Sequence, residues 1–281
     1  MLREWLACAL TPAPQTARTL GLVRESIALE ARYRRVRRAW AEHLAQSRRF
    51  LLDSLATLPR GDTALVIGSG PLLDIPIEDI ARRFDRVLLV DLVHPPRIRR
   101  ALKRWPHVQA ITHDITESLD SLAHAPSAAF EEWLTRSARH VPQRFVNDGR
   151  IQWVASVNLL SQLPLPAMAH IARQRPELSP RLEDWALSLM HNHLHYLAAF
   201  EARGAHVALL ADRLRLTLDR EGHPLIEEPL DAALAPVTGP ARASAREWDW
   251  PVAPKGELPE GLSQHHRVFA CHGRLFHACP D

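Results

Sequence analysis

Cysteine is scarce in this 281-residue chain: Cys8, Cys271 and Cys279 are the only three, an odd number with no short-spaced pair. That argues against a disulfide framework and for a reducing compartment, the cytoplasm by default. Long apolar runs are also missing. The stretch at residues 5–10 is interrupted by Thr11, Pro12 and Pro14, too short for a signal core. No later run approaches the roughly 18 residues a membrane span requires, so secretion and membrane insertion are not expected. Aromatic residues make up only 6% of the chain, which leaves few platforms for stacking nucleic-acid bases. Nor is there a strong field of one sign. The 35 Lys and Arg stand against 32 Asp and Glu, a balance that does not single out nucleic acid as a partner. No internal repeat is evident, so a single compact domain is expected.

What the chain has is 46% hydrophobic content, enough for a sizeable core. Tyr33, Val36, Trp40, Leu44, Ser47 and Leu51 recur at steps of three and four and predict a helix over 22–58, a helical cap within residues 1–60. Pro59, Arg60 and Gly61 then stop it. Residues 63–68 form a short apolar run without alternation, the pattern of a strand covered on both faces of a parallel sheet. Similar runs at 87–90 and 108–111 follow helical stretches at 77–84 and 98–105, the order of a right-handed parallel α/β sheet. Residues 117–149 read as an insertion. Beyond it come a strand at 151–157, a long helix at 182–202, a longer strand at 207–218 and a final strand at 267–271.

In an open α/β sheet, ligands bind outside the carboxyl ends of the strands. Four such places carry polar or glycine residues here. Gly68, Ser69 and Gly70 follow the first strand, where glycines permit a tight turn and close approach of a ligand. Asp91 ends the second strand, 23 residues after Gly68, placed to accept from both hydroxyls of a ribose. Asp114 ends the third strand, where a carboxylate can accept from an adenine amino group. Asn158 and Gln162 follow the fourth.

Taken together, ALVIGSGPLLDIP, LLVDLVHP, AITHDIT and VASVNLLSQLP resemble the ordered motifs of class I S-adenosylmethionine-dependent methyltransferases, over residues 60–275. The resemblance implies a Rossmann-like, doubly wound, mostly parallel α/β sheet of seven strands with a C-terminal antiparallel strand, over residues 61–281. It implies S-adenosyl-L-methionine as cofactor, held by Gly68, Ser69, Gly70, Asp91, Leu92, Asp114, Ile115 and Asn158, with a small-molecule methyl acceptor near Asn158. Two positions depart from the pattern. Val66 stands where the family often has an acidic residue, and Leu72 replaces the third glycine. Asp74, or the backbone of the 68–72 turn, then faces the methionine end of the cofactor. An RNA or protein methyltransferase, a non-catalytic cofactor-binding module and an NAD-dependent dehydrogenase are the alternatives.

Tyr33, Trp40 and His43 of the cap are expected to close the pocket, with Tyr33, Trp40 and Gln162 on the acceptor side. Asn158, His191 and His195 are the candidates for positioning or deprotonating the acceptor, because the two histidines share a helix face at i, i+4. No matching Glu or third ligand accompanies them, so no metal is expected there. His193 reads as core. Cys271, His272, His277 and Cys279 match no zinc spacing. The arginines at 32–38 and the basic residues Arg97, Arg99, Arg100, Lys103 and Arg104 read as solvated helix faces.

Overall fold

The computed structural model describes Cys8 and residues 10–276. Two helices open the described chain, α1 (Gln15–Thr19) and the long α2 (Leu22–Leu55). There follow β1 (Gly61–Ile67), α3 (Ile77–Arg83), β2 (Phe84–Asp91), α4 (Pro96–Leu102) and β3 (Val108–Thr112). Helices α5 (Leu119–His124) and α6 (Phe130–Ser137) lead to β4 (Ile151–Val157), then α7 (Leu165–Gln174), α8 (Ser179–Ala202) and β5 (His206–Leu218). The chain continues through β6 (Pro224–Pro229), β7 (Arg246–Ala253) and β8 (Ser263–Gly273). No helix among the described residues is long and apolar enough to cross a membrane.

The strands lie in the order β3-β2-β1-β4-β5-β8-β7, the first five parallel and β8 antiparallel to both its neighbours. This is the Rossmann-like, mostly parallel sheet with a C-terminal antiparallel strand. The path has the expected seven strands, and β6 adds an eighth off it. It arises because β5 is long. Its first half pairs with β4, and beyond the end of β4 its second half, from Leu214 to Leu218, pairs with β6.

Successive side chains of a strand point to opposite faces, and both faces here are covered, so the inner strands read as unbroken apolar runs. Leu65 and Ile67 of β1 join Leu88 and Val90 of β2 in a core packed by α5, α6, α7 and α8, with Trp133, Trp185 and Tyr196 buried in it. Ala64 and Val66 face the other way, onto Phe50, Leu51 and Leu55 of α2 and Ile80 of α3. A fully buried Leu or Ile contributes roughly 1.5–3 kcal/mol. Val66, the departure from the family pattern, is one of these core residues, 0% exposed. Residues 117–149 supply the β3–β4 crossover itself, with Leu119, Leu122, Phe130 and Trp133 in the core.

Helix α2 is broken at Val36, whose φ of −110° and ψ of 21° are not helical. Before the break its residues reach over the carboxyl ends of the strands. After it, Phe50, Leu51 and Leu55 pack on the sheet, while Trp40 Nε1 donates to the Val252 carbonyl of β7 at 3.2 Å. The amino-terminal helix thus roofs the cleft and is fastened to the carboxyl-terminal hairpin.

Candidate functional site

At the end of β1 the chain hooks over β2: the backbone N–H groups of Gly68 and Ser69 both donate to the Val90 carbonyl, at 3.0 and 3.2 Å. The turn needs left-handed backbone, and Gly68 has φ +80°. A Cβ there would lie 2.7 Å from the Val157 carbonyl oxygen. Leu72, in place of the family's third glycine, keeps the left-handed conformation at φ +57°.

Asp91 faces this loop. Its Oδ2 accepts from the Gly70 N–H at 2.8 Å and its Oδ1 from the Val93 N–H at 3.1 Å. Burial raises its pKa and these backbone bonds lower it, with burial ahead. One bond per oxygen leaves a lone pair on each. Asp114 is different. Thr116 N–H and Oγ1 donate to its Oδ1, and the N–H groups of Ser118 and Leu119 to its Oδ2, all within 2.8–2.9 Å. Its oxygens are engaged in starting α5, and its carboxylate also borders the smaller chamber. The neighbouring His113 has the free atom: Arg144 lies 3.2 Å from its Nδ1, and its buried Nε2 has no partner.

Two chambers open at the strand ends and share Gly68, Asp91, Leu92, Leu159 and Gln162. The smaller, about 120 Å³, lies between Asp91, His113, Asp114 and an apolar set including Leu92, Ile115, Leu119 and Leu163. The larger, about 440 Å³, runs from Gly70 and Asp74 past Asn158 to Trp40, His43, Trp250 and His266. Asn158 sits in left-handed backbone at φ +47°, a conformation that Asn tolerates better than most residues. Its Nδ2 donates to Asp74 Oδ2 at 2.7 Å, while its Oδ1 is buried without a partner. Burial also lifts the Asp74 carboxyl above its ordinary range, against the Asn158 bond.

The far wall of the larger chamber is aromatic. His43 stacks on Trp250 with ring centres 4.1 Å apart, and Trp40 meets Trp250 edge-on at 5.2 Å. Beside them, His266 Nδ1 lies 3.1 Å from Asp212 Oδ1, and Ser161 Oγ donates to Asp212 Oδ2 at 2.5 Å. Burial raises the Asp212 pKa, yet His266, Ser161 and Arg215 together hold it below the usual carboxylate range.

Gly68, Gly70, Asp91, Leu92, Asp114, Ile115, Asn158, Gln162 and Trp40 are therefore brought to one cleft. Other expected residues are not. Ser69 is 1% exposed, its hydroxyl held 2.9 Å from His94 Nε2 beneath the loop. Tyr33 packs against Trp40 outside the lining, with ring centres 6.0 Å apart. His191 and His195 line neither chamber: His191 Nε2 sits 2.8 Å from the Ala232 carbonyl, and His195 faces solvent. The reason is that α8 lies along one face of the sheet, so only its buried side meets the core. His193 is core, 2% exposed, with Nε2 2.9 Å from Ser156 Oγ. Cys271 is buried and His272 Nδ1 lies 3.2 Å from His206 Nε2; His277 and Cys279 lie outside the described residues.

The residues that sequence reasoning missed are His113, Asp212, Trp250 and His266, whereas His43 lines the larger chamber beside Trp40. Asp212 carried a signal, a lone carboxylate inside the apolar run of β5. β7 hid Trp250 behind charges and Pro251.

No protein-family profile matches the chain, and no curated protein sequence does either. Among solved structures it is similar to a 1,6-didemethyltoxoflavin N1-methyltransferase of Burkholderia thailandensis with bound 1,6-didemethyltoxoflavin and S-adenosylhomocysteine. That likeness has 18% identity, 93% of this chain and 90% of that one covered, and a TM-score of 0.40. It is also similar to the N-methyltransferase NodS of Bradyrhizobium japonicum in complex with S-adenosylhomocysteine, at 12% identity, 82% and 87% coverage and a TM-score of 0.34. A third is the 23S rRNA methyltransferase ErmE, at 12% identity, 83% and 70% coverage and a TM-score of 0.30. At these identities and scores, nothing about the chemistry of this chain rests on them.

Proposed function

We propose that this protein is an S-adenosylmethionine-dependent methyltransferase acting on a small-molecule acceptor. The observation that carries the reading is the pair of adjoining chambers built on one glycine turn, the smaller with an apolar lining that suits an adenine beside Asp91 and the larger lined by polar atoms without partners. When bound, S-adenosylmethionine supplies an electrophilic methyl carbon on a sulfonium sulfur. The residues present fit it. The free lone pairs of Asp91 suit two ribose hydroxyls, Leu92, Ile115, Leu119 and Leu163 suit the faces of an adenine, and His113 Nε2 suits a ring nitrogen. Asp74 and the backbone of residues 68–72 suit the amino-acid end. Asn158 Oδ1, Gln162 and Trp40 are left to orient the acceptor, and holding it in line is itself a large part of the rate.

The size of the larger chamber, about 440 Å³, suits a small molecule. The basic clusters support the same reading against RNA. Arg32 and Arg35 lie against Glu257, Arg34 and Arg97 against Glu30, and Arg104 against Glu78, so much of this charge is met within the chain.

S-adenosylhomocysteine at 100 times its dissociation constant is expected to stabilise the fold by about 2.7 kcal/mol, read as a thermal shift. A shift with a nicotinamide dinucleotide and none with S-adenosylhomocysteine would give the site to a dehydrogenase instead. In the same assay Asp91→Ala should weaken binding by about tenfold or more, since charge-assisted bonds to two hydroxyls are lost. Unchanged affinity in a folded variant would reduce Asp91 to a turn residue.

A further inference from the structure

The far wall of the larger chamber holds several buried polar atoms that nothing in the chain satisfies. Among them are both ring nitrogens of His266, His43 Nε2, Trp250 Nε1 and Arg215 Nε, with Asn158 Oδ1 nearer the glycine turn, all on residues lining the chamber. Buried polar groups are nearly always hydrogen-bonded, so a convergence of orphans marks a place where a ligand supplies the partners.

Their chemistry can be read off their neighbours. Trp248 Nε1 donates to His43 Nδ1 at 3.1 Å, so His43 carries its proton on Nε2 and presents a donor. Trp250 Nε1 is a donor by nature. His266 is the reverse case. Its Nδ1 lies 3.1 Å from Asp212 Oδ1, at ion-pair distance without the alignment of a hydrogen bond, and the negative charge beside that nitrogen favours the proton there and leaves the Nε2 lone pair free. His266 is 5% exposed and Asp212 3%.

We propose that His266 is the general base of the methyl transfer and Asp212 its positioning residue, and that the acceptor is a flat aromatic or heteroaromatic molecule methylated at an acidic O–H or ring N–H. The inference rests on the reading of the cleft as a methyltransferase site. In the step itself, the O–H or N–H bond of the acceptor breaks and its proton forms a bond to His266 Nε2. The electron pair stays on the acceptor atom, which becomes the nucleophile. The imidazolium so formed has its other N–H against Asp212, whose charge stabilises it. The rings of Trp40 and Trp250 offer the flat acceptor a wall, and the donors on His43 and Trp250 meet its remaining acceptor atoms.

The groups facing His266 come from every element around it. β5 contributes Asp212 and Arg215, the latter directly across the ladder from His266. Arg215 donates to the Ser161 carbonyl at 2.8 Å and lies 3.6 Å from Asp212. α2 contributes His43, which burial holds at a pKa of about 3 and therefore neutral. On β8 itself the neighbour is His265, and on β7 Asp249 is paired with Arg267. One carboxylate thus stands against the imidazole, with one arginine beside that carboxylate.

The test uses 4-nitrophenol, a chromogenic acid whose phenolate absorbs in the visible, titrated into the full-length protein saturated with S-adenosylhomocysteine. If His266 takes the proton, the bound dye should ionise about one pH unit below the free dye, about tenfold more phenolate at a given pH. His266→Asn should abolish the displacement and Asp212→Asn should shrink it severalfold, while both keep their affinity for S-adenosylhomocysteine. If His266→Asn fails to bind S-adenosylhomocysteine, the decision passes to Asp212→Asn, whose carboxamide keeps the shape of the site. A dye that ionises as it does in water, a displacement that survives both substitutions, or no binding of the dye at all overturns the proposal. Failure of the wild-type protein to bind S-adenosylhomocysteine would instead overturn the methyltransferase reading, whatever the dye does.

Discussion

Acidification from about pH 7 to about pH 5.5 is expected to remove stability, with roughly 4 kcal/mol lost through three buried histidines that the fold keeps neutral and part of it offset by buried carboxylates. His43 and His94 are 0% exposed and His193 2%. Burial depresses their pKa values to about 3, about 4 and about 4. Each takes up a proton in the unfolded chain below about pH 6.5, but in the folded chain only as the pH nears its depressed value. In that window the unfolded state binds more protons, so stability rises with pH and is lost as pH falls, by up to about 1.4 kcal/mol per unit for each group. Asp74 and Asp91, raised by burial, act with the opposite sign. A typical domain has only about 5–15 kcal/mol to lose. Urea midpoints at the two pH values measure the effect, and a midpoint that does not move would show that these imidazoles are not held neutral.

Gly68→Ala is expected to destabilise the fold by about 3 kcal/mol, from a left-handed backbone that disfavours a Cβ and from overpacking. The added carbon would stand 2.7 Å from the Val157 carbonyl and 3.0 Å from Leu159 Cβ. Neither atom can swing away cheaply, because one is backbone at the end of β4 and the other is fixed to the next turn. Gly149 is the control. A Cβ there meets nothing within 4 Å, and Gly149→Ala should stay within about 0.5 kcal/mol of the parent. Equal stabilities for the two variants in denaturant unfolding would falsify the steric account of the turn.

The parallel half of the fold was legible because burial on both faces leaves its trace in every residue of a strand. The run 151–157 coincides with β4, and 207–218 falls one residue short of β5. β6 and β7 were not legible, since one is wholly exposed and the other carries Arg246, Glu247 and Asp249 together with Pro251. The cleft divides in the same way. Gly68 and Asp91 could be found because each follows directly from a readable strand. His266 could not, because its meaning depends on Asp212, 54 positions earlier, and only the ladder between β5 and β8 brings them together. Asp114 reads two ways for a related reason: an aspartate at a strand end serves equally as a ligand group and as a helix start, and the backbone N–H groups that bond to it are invisible in composition.

The fastening of Trp40 to Val252, 212 residues apart, also sets an order of assembly on the ribosome. Every residue lining the smaller chamber has been synthesised by Pro166, whereas Trp250 and His266 follow some 100 residues later. At about 5–20 residues per second that is a delay of roughly 5–20 s. During it the nascent chain has the makings of the smaller chamber and no aromatic wall for the larger, and α2 has nothing from β7 to hold it down. The aromatic wall of the larger chamber is the last part of the cleft to be translated, and it closes on a glycine turn and an Asp91 carboxylate that were already made.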